Sequence, residues 1–78
     1  MTLDQLKPGQ KGTIRAVDGQ GTLRLRLLDM GLTPGIDIEV RKVAPLGDPM
    51  ELGLRGYVLS LRKEEAAWIQ VEKGGGED

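Results

Sequence analysis

Twelve carboxylates and eleven basic side chains, with neither a histidine nor a cysteine, make up the reactive inventory of this 78-residue chain. General acid–base and covalent catalysis need a group poised near neutral pH or an activated nucleophile. Without imidazole or thiol, that task would fall to carboxylates paired by spacing. Asp18, Asp29, Asp48, Glu51, Glu64 and Glu65 are instead scattered along the sequence, and the adjacent Glu64 and Glu65 diverge. No enzymatic activity is expected. The same shortage argues against a tightly held transition metal, which calls for imidazole, thiolate or clustered carboxylates. No cofactor and no metal site are expected in the monomer. Arg26 has one chemical use beyond solvation, because a guanidinium can be offered in trans to the phosphates of a partner's nucleotide. The plainer reading is favoured: Arg26 covers its helix flank and pairs with Asp29 or a backbone carbonyl.

Charge excludes further classes. The formal net charge is -1 with the two signs interspersed, where a nucleic-acid binder would show a basic face. One Trp, one Tyr and no Phe leave little for base stacking or for an aromatic groove that reads proline-rich peptides. The opening MTLDQLKPGQKG carries Asp4 near its start and is broken by proline, unlike the basic then apolar run of a secretory signal, and no run approaches the ~20 apolar residues of a membrane span. A cytoplasmic protein that does not insert into the membrane is expected. A chain of this size buries only about 60% of its unfolded surface, so a large cleft is not anticipated.

The elements that must position the remaining candidates follow from pattern. Leu23, Leu27 and Leu28 recur at helical spacing while Arg24, Arg26 and Asp29 reach water, predicting a short helix over residues 22–30 with Thr22 as its cap. Gly31 can end it in the left-handed conformation, and Leu32 can fold back on the last turn. Thr33-Pro34-Gly35 then suits a type II turn. Strands are expected at residues 11–17, 36–43, 50–54, 57–61 and 69–71. In the first, Ile14 and Ala16 face one way and Thr13, Arg15 and Val17 the other. Arg55-Gly56 joins the third and fourth as a hairpin; Arg55 fits a type I′ turn poorly, so a type II geometry or a bulge at Gly56 is expected. Gly53 marks a bulge or a close backbone approach. Helical turns are expected at residues 3–6 and 63–68. Five strands with one inserted helix make a small, strongly bent barrel, in which closure would hide the sheet edges. Leu-x-Pro-Gly occurs twice, at Leu6–Gly9 and Leu32–Gly35, read as recurring turn chemistry rather than duplication. Residues 1–73 form one domain, and the glycine-rich residues 74–78 are expected to be a disordered tail.

Taken in order, these blocks resemble the FeoA family of ferrous-iron-transport proteins. They are LKPGQKG at residues 6–12, RLLDMGLTPG at 26–35, APLGDPMEL at 44–52, Arg55-Gly56-Tyr57, and Glu65-Ala66 with Ile69 and Val71. The resemblance implies an SH3-like barrel with a helical insertion. It also implies a role in Fe²⁺ uptake through contact with FeoB, a membrane iron transporter with a cytosolic GTPase domain. A similar domain ends some metal-dependent transcriptional repressors, so a regulatory domain of that kind is the alternative, with a weak metal-binding module or self-association through the barrel edges behind it. On this reading the candidate partner contacts are Arg26, Leu32, Pro45, Leu46 and Arg55. Gly31, Pro34, Gly35 and Gly56 are structural turns. Leu46 sits in a proline-broken loop where it either meets a partner or plugs the barrel mouth.

Overall fold

Alternating apolar residues broken by Pro-Gly and Gly-rich turns give a meander of antiparallel strands. In the computed structural model, which describes residues 1–74, a 3₁₀ turn (Leu3–Gln5) precedes β1 (Lys11–Val17), α1 (Gly21–Asp29), β2 (Asp37–Val43), β3 (Met50–Leu54), β4 (Tyr57–Leu61), α2 (Lys63–Ala66) and β5 (Ile69–Lys73). All strand pairs are antiparallel, in the order β4-β3-β2-β1-β5. One apolar core gathers side chains from every strand, the 3₁₀ turn and both helices, with Leu27, Leu32, Val40, Leu52 and Ile69 fully buried. The strand count and the inserted helix agree with the sequence reading. Edge hiding is only half achieved: residues Met1 and Thr2 cover β5, while β4 ends the sheet uncovered among the described residues.

The two Leu-x-Pro-Gly copies begin equivalent modules. Residues 6–17 and 32–43 align without a gap and share Leu6/Leu32, Pro8/Pro34, Gly9/Gly35, Arg15/Arg41 and Val17/Val43. Gly9 and Gly35 take φ of 89° and 93°, and each turn closes by an amide donating three residues back, Gln10 to Lys7 and Ile36 to Thr33. Each turn then bonds to the other module's strand. Gly9 N–H donates to Val40 O (2.8 Å) and Val40 N–H to Gln10 O (3.0 Å); Gly35 N–H donates to Ile14 O (2.7 Å) and Ile14 N–H to Ile36 O (2.9 Å). A local twofold passes through the Gly12–Ile38 pair of the β1–β2 ladder. Both strands bulge at the equivalent arginine, β1 against β5 between Ile14 and Ala16, and β2 against β3 between Val40 and Lys42. Turn chemistry alone does not require a match of this length, so the duplicated pattern is a structural repeat.

The bulges correct two expectations. An extra residue switches the face of all that follow, so Val17, expected beside Arg15, lies in the core with Ile14. At Gly53 the β3 ladder runs without a bulge; the bulge is across the pair in β2, and a Cβ on Gly53 would lie 3.1 Å from Cδ of Arg41. The close approach is by a side chain.

Helix α1 begins one residue earlier than expected. Its N-cap is Gln20, without a side-chain cap, and Thr22 lies inside the first turn. Its end follows its residues. Gly31 (φ 96°) donates from its amide to Leu28 O, and Leu32 N–H donates to Leu27 O, the paired bonds of a Schellman motif. In the β3–β4 hairpin, Gly56 has φ 86° while Arg55 does not have positive φ, and Leu54 pairs directly with Tyr57, so the type II alternative holds and no bulge is needed. Gly74, expected in the tail, is bonded through its amide to Lys11 O (2.9 Å); the rest of that expectation falls outside the described residues.

Candidate functional site

Helix α1 and the end of β4 face each other across an open groove of roughly 560 Å³. Met30 and Leu61 give it an apolar lining, with Pro49 from the β2–β3 loop and Arg26, Arg62 and Glu65 at its polar margin. Two local devices hold the walls in place. At the hairpin end, Tyr57 Oη donates to Met30 O (2.8 Å), tying the start of β4 to the close of α1. At the other end, Arg26 forms an ion pair with Glu65, and Arg62 approaches Asp48 (3.9 Å). Asp48 Oδ1 also accepts from the Lys63 amide (2.8 Å), which fastens the β2–β3 loop to the first turn of α2. Such half-exposed pairs contribute about 0–1 kcal/mol each, so they orient side chains more than they stabilise the fold.

The sequence-predicted contacts fall into four places. Arg26 is exposed on the groove margin, but its partner is Glu65, thirty-nine positions away, and not Asp29. Pro45 and Leu46 occupy the β2–β3 loop, and Leu46 is 96% exposed, so the plug reading fails and the side chain faces solvent. Arg55 stands exposed at the hairpin tip, with no carboxylate of the described residues in ion-pair reach. Leu32 is fully buried as the residue that closes the Schellman motif, which removes it from any contact surface. Gly31, Gly35 and Gly56 all take the positive φ expected of turn glycines.

Sequence reasoning missed Tyr57, Val58 and Arg62. Tyr57 and Val58 are 45% and 52% exposed on an outer strand. Alternation alone could not say that β4 would be the strand left at the edge. Among the described residues, no group of three or more metal-ligating side chains is assembled, and no helix is long and apolar enough to cross a membrane.

Comparison with known proteins gives this geometry a family. The FeoA domain model matches residues 1–73. The chain belongs to the FeoA family. A fusion protein of Porphyromonas gingivalis, Fe(2+) transport protein A joined to Fe(2+) transporter FeoB, is 43% identical over 72 residues; the match covers 92% of this chain and 8% of the fusion. The NMR structure of a FeoA-like protein from Clostridium acetobutylicum superposes with a TM-score of 0.92 at 36% identity, covering 100% of this chain and 91% of that one. The fold is also that of Stenotrophomonas maltophilia FeoA complexed with zinc, an SH3 domain protein (TM-score 0.81, 22% identity, 92% and 89% coverage). The FeoA family is linked to ferrous iron transport, and in one relative the FeoA unit and the transporter share a polypeptide. The blocks that carried the resemblance are, in the FeoA-family fold seen here, the turn that leads into β1, the α1 clasp and its turn, the Asp48-fastened loop, the hairpin tip with Tyr57, and α2 with β5.

Proposed function

We propose that this chain is a cytoplasmic accessory protein of ferrous iron uptake, which binds a FeoB-type transporter at or beside its GTPase region and acts by surface contact, without catalysis. The observation that supports this most directly is the fusion relative, 43% identical, whose single chain carries both an FeoA unit and the Fe(2+) transporter. Linking two modules raises their effective concentration for one another, a useful arrangement when they work as a pair. The residue inventory agrees, since a chain without imidazole or thiol is suited to docking and poorly suited to chemistry. Arg26 acts as a contact rather than as an arginine finger in this reading. Its guanidinium is already paired with Glu65 and would have to leave that carboxylate to reach a phosphate. Pro45, Leu46 and Arg55 are the other surface contacts.

The test is a titration of the purified chain against the transporter's cytosolic region, with and without a GTP analogue, and against the full transporter in detergent. Saturable binding is expected in at least one nucleotide state. No binding in any of these conditions removes the proposal.

A further inference from the structure

The sheet has two edges, and the chain treats them differently. Along β5, Val71 N–H donates to Met1 O (2.8 Å) and Thr2 bridges Gln70, so the N-terminal residues act as a partial extra strand. Among the described residues, nothing equivalent lies along β4. Leu54 and Tyr57 flank a two-residue turn and form a hydrogen-bonded pair, and the antiparallel alternation then directs the N–H and C=O of Val58 and Ser60 away from β3. No backbone group of the described residues meets them. Val58 and Tyr57 are exposed beside them, and the groove opens next to Ser60 and Leu61. Uncovered edges of this kind are templates for strand addition.

Charge selects the occupant. Exposed Arg55 and Arg62 bracket β4, and Lys63 follows immediately. A second copy paired antiparallel on this edge, with Val58 opposite Ser60 of the copy, would set Arg55 of each chain opposite Lys63 of the other. Like charges placed opposite one another oppose self-pairing. An extended segment with apolar side chains at its centre and carboxylates at its ends meets Arg55 at one end and, at the other, Lys63 together with Arg62, which also approaches Asp48. We propose that the free edge of β4 binds such an acidic-ended strand of a partner protein as a sixth strand of the sheet. The proposal rests on the accessory reading above and names the chemistry of its contact.

Two arms test it. In the first, the isotope-labelled chain is mixed with a synthetic peptide of alternating valine and threonine flanked by glutamates, and with the same peptide flanked by lysines. Amide exchange at Val58 and Ser60 should slow by about tenfold with the acidic peptide and not with the basic one. In the second, V58P and S60P, which remove outward-facing donors from an edge position that tolerates proline, are checked for native spectra and titrated against the transporter's cytosolic region. Each should weaken binding about tenfold or more, and R55E should weaken it with a reduced salt dependence. If the acidic peptide leaves Val58 and Ser60 unprotected, or if folded V58P and S60P bind the transporter as the parent does, the edge proposal is overturned. A parent chain that ignores the transporter while the acidic peptide still protects these amides removes the accessory reading alone and supports the edge as a strand acceptor.

Discussion

At Gly31 one residue answers to two constraints at once. Its φ of 96° belongs to the left-handed region, and a Cβ built there would lie 2.0 Å from Oη of Tyr57. The backbone term alone costs a non-glycine residue about 1–3 kcal/mol, and displacing the hydroxyl removes its bond to Met30 O, worth about 0.5–1.5 kcal/mol. G31A should therefore lose more stability in urea than G35A, since a Cβ at Gly35 meets nothing within 4 Å. The pair is separable by a double-mutant cycle. Y57F removes the clashing oxygen, so G31A/Y57F should be less destabilised than the sum of the two single changes; strict additivity would show that the hydroxyl is not the obstacle. The glycine and its turn were legible in the sequence because left-handed closure is local chemistry. The tyrosine contact was not, because it joins residues 27 positions apart.

Elements show why pattern reading succeeds and where it stops. All five strands were visible as alternating apolar runs; Pro8-Gly9 and Pro34-Gly35 precede β1 and β2, and Pro45, Pro49 and Gly56 mark the breaks on either side of β3, for reasons local to the chain. The bulges at Arg15 and Arg41 were invisible, since a bulge is a property of two strands in register and neither strand alone displays it. They decide which face Val17 presents, so the missed bulge became a misplaced core residue. The repeat was seen only as its turn, although the shared Arg15/Arg41 and Val17/Val43 lay in the same sequence. If the two modules are equivalent, equivalent substitutions should cost alike. Gly9 and Gly35 have φ of 89° and 93° with open space beside both, so G9A and G35A should each destabilise by about 1–3 kcal/mol and differ from one another by less than about 0.5 kcal/mol. Denaturant midpoints compared at constant m value check this. A large difference would mean that the common backbone geometry conceals unequal loads.

For the whole molecule, the candidate contacts read from the sequence divide according to burial, and burial is set by the assembled fold. Leu32 and Leu46 are the same residue type, Leu32 two positions before Pro34 and Leu46 directly after Pro45; the glycine before Leu32 marks it as a residue that folds back on a helix end, yet both were raised as partner contacts. One closes the helix inside the core and the other projects from a loop fastened through Asp48 to the start of α2. The helix-closing signal at Gly31 pointed to burial of Leu32, but the exposure of Leu46, contact or plug, was settled only by the assembled fold. Their substitutions should separate cleanly. L46D removes no packing and introduces a charge into water, so its unfolding free energy should stay within about 0.5 kcal/mol of the parent, while affinity for the transporter's cytosolic region falls. L32D would place an unpaired carboxylate in a core that has no buried polar partner among the described residues, a change costing several kcal/mol. Against the marginal stability of a chain this short, roughly 0.05–0.15 kcal/mol per residue, that loss is enough to unfold it. An L46D variant that unfolds would show that the loop packs against the barrel in solution, and one that binds as the parent does would remove Leu46 from the interface and leave the β4 edge and the groove to carry the contact.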